Sequence, residues 1–361
     1  MLASGLAGAG DLVHVWCPSG GVSSHEDSGV IIHRELGRMT PVDLFKAGRM
    51  LDTFPGPRRL LLQWVPHAFG FRSANIPFSC WIWNRAFAHR DQVDVMIHEP
   101  YLPLRQEHFK HTALALAHRM MLAAVLRAAK RVWMAIPKWE EYCRPYALGR
   151  KVPFTWLPVV SNIPINHRRS GGQSVRARYA PSQELLIGHF GTCGGEIGTA
   201  LRAVIPSILI RNPKTAVLVI GNGSEQCRSE LLKDNPLLSN RVHSTGGLSD
   251  HEVSSYISAC DLMFQPYPDG ATSRRGSLMA ALSHGKPVIT TSGHLTEDLW
   301  QKSGSVVLVP AGNHPEMIAS IETLLADQCE RERLGTAAKR LYDARFDLRI
   351  VVQLLRNQGI V

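Results

Sequence analysis

At 361 residues the chain is long for one hydrophobic core, and two domains of ordinary size are expected. An apolar content of 45% with 19% charged residues fits a soluble globular protein, and no run is apolar for long enough to span a membrane, since even Met120 to Ile136 carries Arg127, Lys130 and Arg131. The formal net charge of +10 favours an anionic partner, but the basic residues fall in small clusters (Arg58 and Arg59; Arg127, Lys130 and Arg131; Arg168 and Arg169) without interleaved aromatics, which argues against nucleic acid.

In chain order, the opening MLASGLAGAGD lacks the basic start and long apolar centre of a signal peptide, which argues against export. Strands are predicted at Leu12 to Cys17, Arg59 to Trp64, Val93 to Ile97 and Arg131 to Ala135, each closed by a proline or a proline-containing turn. Between the last two, His111 to Lys130 is rich in Ala, Leu and Met and predicts a helix. Ile163 to Ser182 is polar and irregular and predicts a linker. A cleaner alternation follows. Strands are expected at Leu185 to His189, Ala216 to Ile220, Val242 to Ser244, Leu262 to Gln265 and Pro287 to Thr291. Helices are expected at Ile197 to Arg211, at Asp250 to Ala259 with Asp250 or Ser249 as its cap, after Arg275, at Pro315 to Asp327 and at Glu330 to Ala344. Such alternation means helices layered on parallel sheets. The expected organisation is a first α/β domain over residues 1–165, a linker over 166–184, a second α/β domain over 185–345 and a tail over 346–361.

Seven cysteines stand singly, with no C-x-x-C pair, as suits reduced thiols in a cytoplasmic compartment. Sixteen histidines show no H-E-x-x-H or other tight ligand spacing, so no metal is expected.

The most informative stretch is ATSRRGSLMAALSHGKPVITT, Ala271 to Thr291. It sets Arg274 and Arg275 at the start of an apolar helix, where free N–H groups carry partial positive charge and guanidinium forks match phosphate oxygens. The competing reading is a solvated helix start near Asp269. Three glycine-bearing turns precede it, Gly188 to Gly195, Gly221 to Gly223 and Gly246-Gly247. In open parallel sheets ligands bind beyond the carboxyl ends of strands, where small residues let backbone approach them. In the first half, Pro66-His67-Ala68 and His98-Glu99-Pro100 also follow strands. His67, His98 and Glu99 are therefore candidates to orient a hydroxyl or accept a proton. Trp81, Trp83 and Phe87 form a possible acceptor platform, with core or interface packing as the alternative, and Met120-Met121 with the basic face of their helix form a possible contact with an anionic membrane.

In register, LLIGHFGT, AVLVIGNGSE, RVHSTGGLSDHEVSSYISACDLMFQPYPDG and LMAALSHGKPVITT with TEDLW resemble the C-terminal half of group 1 (family 4) glycosyltransferases. The resemblance covers about Leu185 to Phe346 well and the first half weakly. It implies the GT-B fold, two Rossmann-like domains with a cleft between them. It further implies a nucleotide-diphosphate sugar as co-substrate, a saccharide or lipid-linked acceptor, a retaining outcome, and no required metal or other cofactor. By position, Gly191 and Thr192 would lie near the donor phosphates, with Gly221 and Gly223 in the neighbouring turn, Gly247 and Leu248 would meet the base, and Ser277 would face the diphosphate.

Two departures stand out. The family's paired glutamates fall on Thr272 and Ala280, and the segment after Gly191 reads TCGGEIG, with Glu196 where a cation is usual. Arg274 or Arg275 is expected to take over diphosphate neutralisation. The departure leaves a non-catalytic nucleotide-sugar-binding or scaffold protein of the same fold as the alternative. The resemblance also implies that LASGLAGAGDLVHVWCP corresponds to the end of the family's first helix and its second strand. A central sheet position would then be empty unless another strand fills it.

Overall fold

The computed structural model describes residues 1–18, 25–27, 29–104, 109–166, 169–181 and 184–357. The chain forms two compact units, Met1–Pro158 with Val351–Val361, and Val159–Ile350.

In the first unit the strands are β1 (Val13–Trp16), β2 (His25–Asp27), β3 (Val30–His33), β4 (Arg59–Trp64), β5 (Gln92–Ile97), β6 (Ala129–Met134) and β7 (Phe154–Trp156). Its helices are α1 (Leu2–Gly8), α2 (Pro41–Leu51), α3 (Ile76–Phe87), α4 (Phe109–Ala128) and α5 (Trp139–Cys143). The strands make two sheets, β1-β3-β2 and β4-β5-β6-β7. Among the described residues no pairing joins β1 to β4. Within the second sheet every pairing is parallel. Helix entries follow local chemistry. Thr40 and Asp43 cap α2 reciprocally, and Asn75 accepts from the Phe78 N–H at 3.0 Å at the start of α3. Buried Trp64 and Trp133 fill the core.

The sheet of the first unit is also held by ion pairs. Arg59 reaches Asp94 at 2.6 Å on the neighbouring strand and donates to the Leu355 carbonyl at 2.8 Å. Buried Arg85 meets buried Asp91 at 2.5 Å, and Arg58 meets the same carboxylate at 2.7 Å.

The second unit contains α6 (Arg169–Tyr179), β8 (Leu185–Phe190), α7 (Gly195–Arg211), β9 (Thr215–Ile220), α8 (Ser224–Lys233), β10 (Val242–Ser244), α9 (Asp250–Ala259) and β11 (Leu262–Gln265). It continues with α10 (Gly276–Ser283), β12 (Val288–Ser292), α11 (Asp298–Ser303), β13 (Val307–Pro310), α12 (His314–Ala326) and α13 (Gln328–Arg345). One six-stranded sheet runs β10-β9-β8-β11-β12-β13, parallel throughout. Apolar, largely β-branched runs explain its burial on both faces, as in TAVLVI of β9 where all six residues are buried. The order reverses between β8 and β11, and such a switch point opens a crevice beyond the strand ends.

Three sequence expectations change. Residues 166–184, expected as a linker, contain α6, which packs on α9: Arg176 pairs with Asp261 at 2.8 Å, and the Asn166 N–H donates to Ser254 at 2.9 Å. The expected tail 346–361 holds helix α14 (Leu348–Asn357), and from Val351 onward the chain belongs to the first unit. The cap of α9 is Ser249, which exchanges hydrogen bonds with Glu252, and Asp250 is the first helical residue.

Removing one partner of a buried pair strands the other charge. Arg85→Ala is expected to lower the stability of the protein by about 3 kcal/mol, read from urea unfolding. An unchanged midpoint would show that Arg58 alone satisfies Asp91.

Candidate functional site

The carboxyl ends of β8, β9, β10 and β11 bring the glycine turns of the second unit to one edge of the sheet. The chain leaves β8 at Gly191, whose φ of +128° favours glycine, and its N–H donates to the Ile220 carbonyl at 3.4 Å. A Cβ on Gly191 would stand 3.4 Å from the Ser277 hydroxyl. Ser277 sits in the first turn of α10, so the loop after β8 faces an uncapped helix N-terminus across the switch point. The N-cap residue Arg275 makes no side-chain cap bond to α10, and the N–H groups at such a helix start favour an anion.

Behind Ser277 the hydroxyl of Tyr267 lies 2.8 Å from the serine oxygen. Burial pushes the Tyr267 phenol up to about 12, so it stays a neutral hydroxyl. The Arg275 guanidinium stacks 4.8 Å from the centre of the Tyr267 ring. Arg275 also pairs with Asp269, and Arg274 pairs with the other oxygen of the same carboxylate at 2.6 Å. Both readings of the arginines thus hold part of the geometry: they are tied to Asp269, and the trio carries two positive charges against one negative. Arg275 keeps its Nε buried without a partner.

Thr272 and Ala280, where the family that the sequence resembles carries glutamates, are fully buried. A different carboxylate acts in this loop. Glu297 accepts the Ser273 N–H at 2.6 Å, the Ser273 hydroxyl and the Trp300 indole N–H at 2.9 Å. Burial raises the Glu297 carboxyl above its ordinary value, against the pull of these hydrogen bonds. Its contacts fix the backbone that leads into Arg274 and α10.

The neighbouring turns pack closely. Gly221 bridges to Gly246, and its N–H donates to the Thr245 hydroxyl at 3.0 Å. A Cβ on Gly247 would stand 2.5 Å from the Asn222 amide oxygen. Gly223, at φ +81°, is the residue before α8. Leu248 is half-buried and Thr192 exposed, with the Thr192 carbonyl 3.3 Å from the ring of His189. The structure therefore gathers Gly191, Thr192, Gly221, Gly223, Gly247, Leu248, Arg274, Arg275 and Ser277 on the loops at one sheet edge. Glu196 lies exposed in the first turn of α7.

In the first unit, His67 and His98 follow the adjacent parallel strands β4 and β5 but make separate contacts. His98 Nε2 lies 2.8 Å from the Gln63 amide oxygen, which leaves Nδ1 as the proton acceptor. Burial lowers the His98 imidazole below its ordinary value, and neighbouring Glu99 opposes this. His67 contacts Ser73 at 3.3 Å and the ring of buried His118 at 5.2 Å. Among the described residues no group of three or more His, Cys, Asp or Glu is placed to hold a metal ion. No described helix is long and apolar enough to cross a membrane.

Sequence reasoning passed over Asp269, Tyr267 and Glu297 as functional residues. Their signal was position, since Tyr267 and Asp269 lie in the turn after β11 and Glu297 after β12.

Two α/β units built largely on parallel sheets fit the GT-B fold. Residues 200–341 match the family model described as "Glycosyl transferases group 1". The match lies within the second unit and covers less than half of the chain, and the similar solved structures share the GT-B fold. Among solved structures it is similar to sucrose-phosphate synthase from Thermosynechococcus elongatus, with 18% identity, TM-score 0.74, and coverage of 99% of this chain and 90% of that one. It is similar to HepE from Anabaena in complex with UDP and glucose, with 18% identity, TM-score 0.63, and coverage of 91% and 85%. WaaG, a glycosyltransferase involved in lipopolysaccharide biosynthesis, gives 16% identity, TM-score 0.62, and coverage of 99% and 93%. Comparison with curated protein sequences finds no match.

A raised carboxyl binds more protons folded than unfolded, so its contribution to stability falls as pH rises from the ordinary glutamate value through the raised one, and is flat above. Stability of the wild type is expected to drop across that window upward from about pH 4.5, and Glu297→Gln should remove this part of the slope. Parallel pH profiles of urea midpoints for the two proteins would show Glu297 to be an ordinary carboxylate.

Proposed function

We propose that this protein is a glycosyltransferase that takes its sugar from a nucleotide-diphosphate donor held by the second unit, and transfers it to a saccharide or lipid-linked saccharide with retention and without a required metal. The observation that carries this reading is the meeting of Gly191 with Ser277 at the N-terminus of α10, beside two arginines that share one aspartate. Cleaving a sugar–phosphate bond builds negative charge on the leaving diphosphate. Fixed donors and a net positive charge at that point lower the barrier. The backbone of Gly247 and Leu248 would read the base, and the donor phosphate would take the acceptor proton. In the first unit His98, neutral at Nδ1 as its burial favours, would orient the acceptor hydroxyl, with Glu99 and His67 as further candidates. HepE was solved with UDP, which makes uridine the base to test first.

One observation favours a second reading. With Thr272 and Ala280 buried where the family carries glutamates, a binding protein of the same fold would keep the nucleotide site and lose turnover.

A lipid-linked acceptor would call for contact with a membrane surface. Helices α3 and α4 pack on each other and leave Trp83, Phe87, Phe109, Leu116 and Met120 exposed, with Arg90, Lys110 and Arg127 also exposed on or beside these helices. Met121 is buried and takes no part. Apolar anchors among basic residues suit an anionic lipid surface. Met120→Glu is expected to reduce co-sedimentation with vesicles containing phosphatidylglycerol, and equal binding to purely zwitterionic vesicles would contradict the anionic preference.

Calorimetric titration with UDP, GDP and ADP, with and without Mg²⁺, tests the donor site. Metal-independent binding of one nucleotide is expected, weakened about tenfold by Arg274→Ala or Arg275→Ala. Unchanged affinity in both variants would overturn the role given to the arginines. Transfer from the matching sugar nucleotide then separates the enzyme from the binding protein: His98→Ala should slow turnover and leave nucleotide affinity intact.

A further inference from the structure

Sugar transfer as proposed above assigns no task to Tyr267, which stands directly behind the start of α10. Tyr267 is 3% exposed, and a buried phenol needs a hydrogen-bond partner. It finds one in Ser277, whose hydroxyl oxygen lies 2.8 Å away. The rest of the residue is held from other sides. Its carbonyl accepts the Thr291 hydroxyl on β12 and the Gly270 N–H at 3.1 Å, and the Arg275 guanidinium lies 4.8 Å from the centre of its ring.

Two hydroxyls in contact share one hydrogen, and acidity sets the direction. A phenol is the stronger acid and the oxygen of an alcohol the better acceptor, so the Tyr267 O–H donates to Ser277. Burial pushes the phenol up to about 12, which keeps that hydrogen in place across the neutral range. Ser277 is half-buried and has one hydrogen of its own. With its oxygen already accepting from Tyr267, that hydrogen is left for another partner. The Gly191 turn lies beside it, since a Cβ on Gly191 would stand 3.4 Å from the Ser277 oxygen.

We propose that Tyr267 is a positioning residue of the donor site: it donates to Ser277, and the Ser277 hydroxyl in turn donates to the terminal phosphate of a nucleoside diphosphate. The proposal rests on the function proposed above.

A hydroxyl that accepts one hydrogen bond donates a stronger one. The chain from Tyr267 through Ser277 to a phosphate oxygen therefore tightens as negative charge collects on that phosphate, which is what cleavage of the sugar–phosphate bond does to the leaving group. Ser277 sits in the first turn of α10, where the helix dipole favours the same charge. Both hydroxyls stay neutral, no proton changes owner, and Tyr267 acts only through Ser277. Tyr267→Phe isolates this part, because the ring that fills the core and faces Arg275 remains.

The test is calorimetric titration of the wild type, Tyr267→Phe, Ser277→Ala and the double variant with UDP and with UMP, which lacks the terminal phosphate. Where the wild type prefers GDP or ADP, that diphosphate and its monophosphate replace the uridine pair. Tyr267→Phe is expected to weaken UDP about fivefold and to change UMP by less than about twofold. In the Ser277→Ala background the same substitution should have no further effect on UDP. Equal losses for UDP and UMP, or losses on UDP that add in the double variant, would show a merely structural tyrosine and overturn the inference. Unchanged UDP affinity in Tyr267→Phe would also overturn it and leave the donor site standing. A wild type that binds none of UDP, GDP and ADP would remove the donor reading, and the role of Tyr267 with it.

Discussion

The second unit depends on how closely two chain segments approach at the switch point of its sheet. Gly191 leaves β8 with a backbone conformation that side chains avoid, and even a methyl there would meet Ser277 at 3.4 Å. The approach sets the Gly191 turn against the N-terminus of α10, where the proposed diphosphate would sit. The buried sheet beneath makes the arrangement rigid: β8 and β11 pair directly, and the Gln265 side chain donates to the Phe190 carbonyl at 3.1 Å, tying the two strand ends together.

Charge around this point is arranged differently from the pattern of the family that the sequence resembles. Where paired glutamates are usual, the chain buries Thr272 and Ala280 and places carboxylates elsewhere. Asp269 holds two arginines in the turn after β11, and Glu297 fixes Ser273 from the loop after β12. Asp269 limits the positive charge offered to a ligand and keeps both guanidinium groups from swinging into solvent. Glu297 acts on the backbone of the arginine loop, a structural part in place of direct sugar contacts. On the proposed function, this balance would suit a diphosphate.

Much of the second unit was legible in the sequence. Buried parallel strands such as TAVLVI are continuous apolar runs ended by glycine, and the predicted strands Val242 to Ser244 and Leu262 to Gln265 coincide with β10 and β11. Helix α6 was hidden because RSGGQSVRARY has poor helix propensity. Its glycines let it approach α9: a Cβ on Gly171 would stand 2.6 Å from the Ser255 hydroxyl, so a tertiary contact decided what propensity could not. Strand β3 was missed because four residues between turns carry little pattern. The return of α14 to the first unit depends on contacts across the whole sequence, such as Arg59 to the Leu355 carbonyl. At the site, glycine positions and the arginine pair were readable from order alone. The partners that set their charge, Asp269 and Glu297, were not, because pairing is a fact of three dimensions.

The most direct test of the central claim, that the strand-end loops of the second unit grip a nucleoside diphosphate, is backbone amide hydrogen exchange with and without saturating UDP. Protection is expected in the peptides that contain Gly191-Thr192, Gly247-Leu248 and Ser277-Leu278, with the strands beneath unchanged. Protection confined to other segments, with these three unaffected, would contradict the account.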